Sequence, residues 1–313
     1  MFLARWACDS WKPSNTSGKR WGTFTRLTDT SKAMVFTVLV LFFALAAGLT
    51  INVLHVTSEF LGSFLYMFTP TVAVLVMLLL VTREGYSKEG WKALGVHRLG
   101  LSMWPIAFGV TLLVSVTAQI IVLATPLASF RKLEHGIVGE LISFLLQVIL
   151  YSLTFVLAEE IGWRGYLLPH LLSVGRSRLL VLVGLIQAAW HMPLIFLTPL
   201  YHAEGNRWLV LPLFVGTIVA LSFFVGYLRI RTGSLWPAVI AHSVHNAAWF
   251  TLAAFTATSS PVVVNEYLAG DSGILILVGT ALAAFWVGRT QISGRPEEGR
   301  SGVSGAEISS AED

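Results

Sequence analysis

Glu159 and Glu160 stand side by side near the end of a long apolar stretch, and Arg164 follows four residues after Glu160. Two later apolar stretches carry His191, and then His242, His245 and Asn246. Carboxylates and imidazoles are the usual carriers of general acid and base chemistry, and an amide donates to a developing negative charge. A charge at the centre of a bilayer costs about 2.5–3.5 kcal/mol on insertion scales, and such residues mark pathways and reaction sites. The set therefore points to chemistry performed within a membrane.

The spacing suggests a division of labour. Glu160 and Arg164 are one helical turn apart in the favourable order for an ion pair, with the acid on the N-terminal side. Glu159 is turned about 100° away on the helix and would be left as a free carboxylate, available as a base. The alternative is that both carboxylates bind Arg164 in a packing network. His191 lies in Trp190-His191-Met192-Pro193, where Pro193 frees a backbone carbonyl of the preceding turn. Alone it fits a hydrogen-bonded core histidine as well as a functional one. His242, Ser243, His245 and Asn246 fall within five residues and cannot all face lipid, so their stripe must face the interior of a bundle.

The elements that position these groups follow from composition. The chain is 55% hydrophobic and 12% charged, against about 25% charged in soluble domains. An integral membrane protein with one helical bundle fits its 313 residues. Eight stretches are candidates to span the hydrocarbon core: 34–54, 64–81, 104–125, 137–160, 179–198, 209–228, 235–256 and 272–288. The fourth is able to continue to about Leu168, before Pro169 stops it. The expected architecture is an all-α polytopic membrane bundle over 34–288. Residues 1–33 form an N-terminal tail and 289–313 a disordered tail. The first tail lacks the apolar core of a signal peptide, so the first span is expected to act as an uncleaved anchor. All Lys and Arg except Arg131, Lys132 and Arg207 lie in tails and loops of one side, which places both termini in the cytoplasm. The net charge of +4 therefore belongs to membrane orientation rather than to nucleic-acid binding. Trp104, Trp208, Trp236 and Trp286 lie near span ends, as interfacial residues do. Cys8 is the single cysteine, which excludes an intrachain disulfide and a cysteine-based metal site.

This topology brings the reactive groups to similar depth. The fourth span descends to the cytoplasm with Glu159 near its end. The seventh rises from it, and His242, about seven residues in, would lie about 10 Å deep. His191 on the rising fifth span lies deeper by a turn or two. One pocket opening toward the cytoplasm would accommodate all three.

These residues carry a resemblance. Glu159-Glu160-Ile161-Gly162-Trp163-Arg164 matches the EExxxR motif of the CPBP family of intramembrane proteases, also called the CAAX-protease or Abi family. His191 matches the histidine of that family's FxxxH motif, with Gln187 in place of Phe. His242 and Asn246 match its HxxxN motif. The resemblance covers roughly 137–250, with the protease core at about 137–256. It implies hydrolysis of peptide or protein substrates that enter from the membrane or the cytoplasm, in a multi-pass protein of a bacterial plasma membrane. It casts Glu159 as activator of the attacking water, His242 and Asn246 as stabilisers of the oxyanion, and His191 as a positioner of the water. Glu160, Arg164 and His245 fall to supporting roles, and Gln187 is placed to hydrogen-bond the His191 imidazole. The family is also described as metalloproteases; Glu159, His191 and His242 would supply a Glu plus two His set for a divalent ion such as zinc. Sequence leaves open whether a metal is used and whether prenylated C-termini or other peptides are cut. The same polar pocket would also suit a proton-coupled carrier, an immunity-type binding protein or a scaffold for another protein.

Overall fold

The computed structural model describes residues 27–133 and 136–292. The tail expectations for 1–26 and 293–313, and Cys8, lie outside these residues. The fold is all-α apart from one two-residue strand pair. Nine helices order it: α1 (Asp29–Val53), α2 (Glu59–Val81), the short α3 (Lys88–Ala93), α4 (Leu101–Leu123), α5 (Gly136–His170), α6 (Arg176–Leu197), α7 (Arg207–Thr232), α8 (Trp236–Ala254) and α9 (Ile274–Ile292).

All eight predicted stretches are helical. Six of them, α1, α2 and α4 to α7, are long and apolar enough to cross a membrane. α8 carries the polar stripe of His242, Ser243, His245 and Asn246, which lowers its hydropathy, and the apolar part of α9 is short. α1 begins five residues ahead of the expected start. Thr28 caps it, its hydroxyl accepting from the Ser31 N–H at 3.2 Å, and Asp29 in the first turn suits the positive helix end.

α1 is apolar on both faces, as membrane helices are. α1 buries Ala33, Phe36, Val40, Ala44, Gly48 and Ile51 at three- and four-residue intervals. Its opposite face leaves Met34, Val38, Phe42 and Val53 more than half exposed, a surface suited to lipid. The inner face packs on α6; α7 packs between α6 and α9, and α8 between α4 and α5. Lys32 at the head of α1 meets Glu84 at 2.5 Å, so the loop after α2 returns to the side where α1 begins.

The opposite side is tied by its loops. Strands β1 (Ser129–Phe130) and β2 (Thr256–Ala257) pair antiparallel with Ser129 opposite Ala257. His202 donates from Nδ1 to Glu266 Oε2 at 2.5 Å, and its Nε2 lies 3.0 Å from the Ser272 hydroxyl. Ser272 donates to Asp271 Oδ1 at 3.2 Å, and Tyr201 donates to the other oxygen of Asp271. Burial opposes a charge on His202, but Asp271 and the hydrogen bond to Glu266 outweigh it, and the imidazole titrates above its usual value. The folded protein thus holds this proton more tightly than the unfolded chain, where histidine titrates near about 6.5. The clasp contributes fully below that pH and is lost as pH rises through the folded value. The thermal midpoint in detergent should fall across this window, and His202→Gln should flatten the fall. A wild-type profile with no descent there would contradict this reading.

Candidate active site

The acidic motif lies on α5, which is not regular. Thr154 leaves helical geometry with φ −129° and ψ −104°. An α-helical stretch, Phe155–Glu160, follows, and Ile161–Leu167 is wound as a π-helix. π segments are rare and occur often at functional sites. Gly162 sits at this junction because another helix comes close. A methyl group there would lie 2.6 Å from the Cβ of Pro70 on α2.

Two helices, α5 and α8, meet at one carboxylate oxygen, and α6 joins them through Arg164. Glu160 Oε1 accepts from Arg164 Nη1 at 2.8 Å and from His242 Nδ1 at 2.9 Å. The same Arg164 nitrogen donates to the side-chain oxygen of Gln187 at 2.9 Å. Glu160, Arg164 and Gln187 are fully buried, and His191 and His242 nearly so. Of the two readings of the acidic pair, the structure selects Glu160 with Arg164. Glu159 forms no ion pair with Arg164, and its Oε2 is buried without a hydrogen-bond partner among the described residues. Glu159 remains within electrostatic reach of His242, Glu160 and Arg164.

His191 donates from Nδ1 to the main-chain carbonyl of Gln187 at 2.9 Å. The expectation that the Gln187 side chain binds the imidazole is corrected here. The amide turns to Arg164 because a buried guanidinium needs acceptors, and the carbonyl one turn back serves the ring. A carbonyl can only accept, so the proton sits on Nδ1, and neutral His191 keeps a lone pair on Nε2. Replacing Gln187 with Ala should therefore cost about 1–3 kcal/mol, the range for leaving a buried donor unmatched, more if the charge is felt. Chemical unfolding in micelles measures this, and wild-type stability would refute the contact's importance.

An aromatic wall supports both motifs. Trp163 and Trp190 are fully buried and meet edge to face at 5.6 Å, and Trp190 donates to Thr69 Oγ1 at 2.8 Å. His191 packs on Trp190, Phe214 and Tyr201, so the outer clasp touches the site through Tyr201. Asn246 lies one turn after His242 on α8 and is partly buried. His245 does not join the group at Glu160. It lines a small cavity with Thr111, Phe224 and Thr280 and feels the charge of Asp271.

Arg229 was counted in the sequence only as an orienting charge. It is buried at the end of α7, where Nε donates to the Arg164 carbonyl and Nη2 to the Ala93 carbonyl, each at 3.0 Å. A cation in the last turn of a span is equally common as an interfacial charge, so only the fold reveals this brace. Among the described residues no group of three or more His, Cys, Asp or Glu is arranged to hold a metal ion.

The family described as Type II CAAX prenyl endopeptidase Rce1-like matches residues 141–248. A curated protein of Methanococcus maripaludis named CAAX prenyl protease 2 is 27% identical over 143 residues, which cover 44% of this chain. The match spans about half, 48%, of that relative's length. The matched region holds Glu159, Glu160, Arg164, His191, His242 and Asn246 in order, and over it the chain is similar to that family of CAAX prenyl endopeptidases.

Proposed function

We propose that the protein is an intramembrane endopeptidase that hydrolyses peptide bonds of protein or peptide substrates by a water activated at Glu159. Glu159 takes a proton from water as the hydroxide attacks the scissile carbonyl carbon. It then returns the proton to the departing amine, so the carboxylate is regenerated. His242 is held at Nδ1 by Glu160, which balances an imidazolium charge. Its Nε2–H and the Asn246 amide donate to the oxyanion, a contact of a kind typically worth about 2.7–4 kcal/mol. His191, with its proton fixed on Nδ1, accepts from the attacking water at Nε2. The observation that carries the reading is Glu160 Oε1 joining Arg164 and His242 beside Glu159, which forms no ion pair and whose Oε2 has no hydrogen-bond partner among the described residues.

In this reading the core is 137–256, eight helices span a bacterial plasma membrane, and the pocket and both termini face the cytoplasm. The one-sided distribution of Lys and Arg supports this, as does the Lys32–Glu84 pair. The name of the archaeal relative makes a prenylated C-terminal CAAX peptide one substrate to try, beside unmodified apolar peptides. Purified protein in proteoliposomes should release new N-termini from at least one of these classes. Proton flux across the vesicles without any cleavage would replace the hydrolase with a carrier.

A further inference from the structure

A second feature lies on the side where α1 begins, outside the catalytic group. Residues of α2, α3, the segment after α3 and α5 line a groove of about 410 Å³. Its floor is apolar, formed by Val74, Leu75, Leu94, Val96 and Ile161. Lys92, His97 and Trp91 complete its lining. The indole of Trp91 is anchored by a hydrogen bond to the Gly85 carbonyl at 2.7 Å, yet 41% of the residue is exposed. Tryptophan at this position relative to a span is typical of the headgroup layer.

The charge on the rim is not neutralised by the protein. Lys92 and Arg98 form no ion pair among the described residues, and Glu84, the acid at the start of this loop, is held by Lys32. Only the exposed Glu89 adds a negative charge on α3. Burial and then the charges of Arg98, Lys92 and Arg229 hold His97 below the usual imidazole value. The Lys92 ammonium over an apolar slot, with an imidazole at His97 able to donate beside it and Arg98 next in the chain, matches a molecule with an anionic head and a hydrocarbon tail. Basic pockets between membrane helices bind lipid headgroups in this way.

We propose that this groove is a binding site for an anionic glycerophospholipid, its phosphate at Lys92 and His97 and one acyl chain along Val74, Leu75 and Ile161. The site touches the catalytic helix directly. Ile161 follows Glu160 in the chain, and Thr71 of the groove wall donates to the Ala158 carbonyl at 2.6 Å. A bound lipid would therefore brace α2 against α5 beside the acidic pair. The binding itself does not depend on the protein being a hydrolase.

Native mass spectrometry of the full-length, delipidated protein, titrated with phosphatidylglycerol or phosphatidylcholine, tests the proposal. Phosphatidylglycerol should bind at least about fivefold more tightly, and Lys92→Gln with Arg98→Gln should weaken it about tenfold or more while leaving phosphatidylcholine unchanged. Val96→Trp, which fills the floor, provides an independent variant and should weaken phosphatidylglycerol binding at unaltered thermal stability. Equal affinity for the two lipids would overturn the proposal, and so would phosphatidylglycerol binding indifferent to all three substitutions. Displacement of neither lipid but capture of a farnesylated peptide in the groove would assign it to substrate instead. Loss of cleavage in Glu159→Gln with intact lipid preference would separate this site from the catalytic one.

Discussion

Glu159→Gln should abolish the proposed peptide cleavage and leave the fold standing. The substitution keeps the shape of the side chain and removes the carboxylate proposed to take the proton from water. A positioned general base contributes about 10²–10⁴-fold, so the rate of hydrolysis in proteoliposomes should fall by at least that factor. Stability should hold, because Glu159 has no ion pair to lose and one of its oxygens is buried without a partner. The decisive comparison is cleavage rate against thermal midpoint in the same preparation. Cleavage at the wild-type rate would end the assignment of the base.

Glu160→Ala behaves differently from its neighbour. It strips the acceptor from both Arg164 and His242, and it leaves a fully buried guanidinium facing Gln187 alone. Breaking a buried pair by removing one member costs about 3–5 kcal/mol. The variant should lose that much in equilibrium unfolding and lose activity as well, since His242 would no longer be oriented. Glu160→Gln should recover part of both, because the amide oxygen still accepts from the two donors. Unfolding curves of Glu160→Ala and wild type that coincide would remove the central contact from the account. The contrast between adjacent glutamates, one chemical and one architectural, is the sharpest consequence of the geometry.

Much of this was legible in the chain. Apolar length located the spanning helices, and the four-residue interval from Glu160 to Arg164 gave the ion pair, since both are properties of local sequence. The partner of His242 was not legible. It sits 82 positions from Glu160, and no periodicity reports which of two adjacent carboxylates a distant ring will meet. Gln187 was placed correctly one turn from His191, but its amide and its carbonyl serve different partners, and only packing decides that. The π-wound turn after Glu160 was invisible because a helix widened by one residue keeps the same composition. His245 shares a helix with His242, yet three residues rotate it far enough to face another cavity. The clasp around His202 joins loops that carry no motif.

The shared oxygen of Glu160 has a thermodynamic corollary. Arg164, Gln187 and His242 reach one another only through it or through Arg164, so the four side chains form a single energetic unit. Once the hub is gone, deleting a spoke costs little more. Free energies measured for these positions one at a time will overlap rather than sum, and the tolerance of any one of them to change is set by the state of the other three.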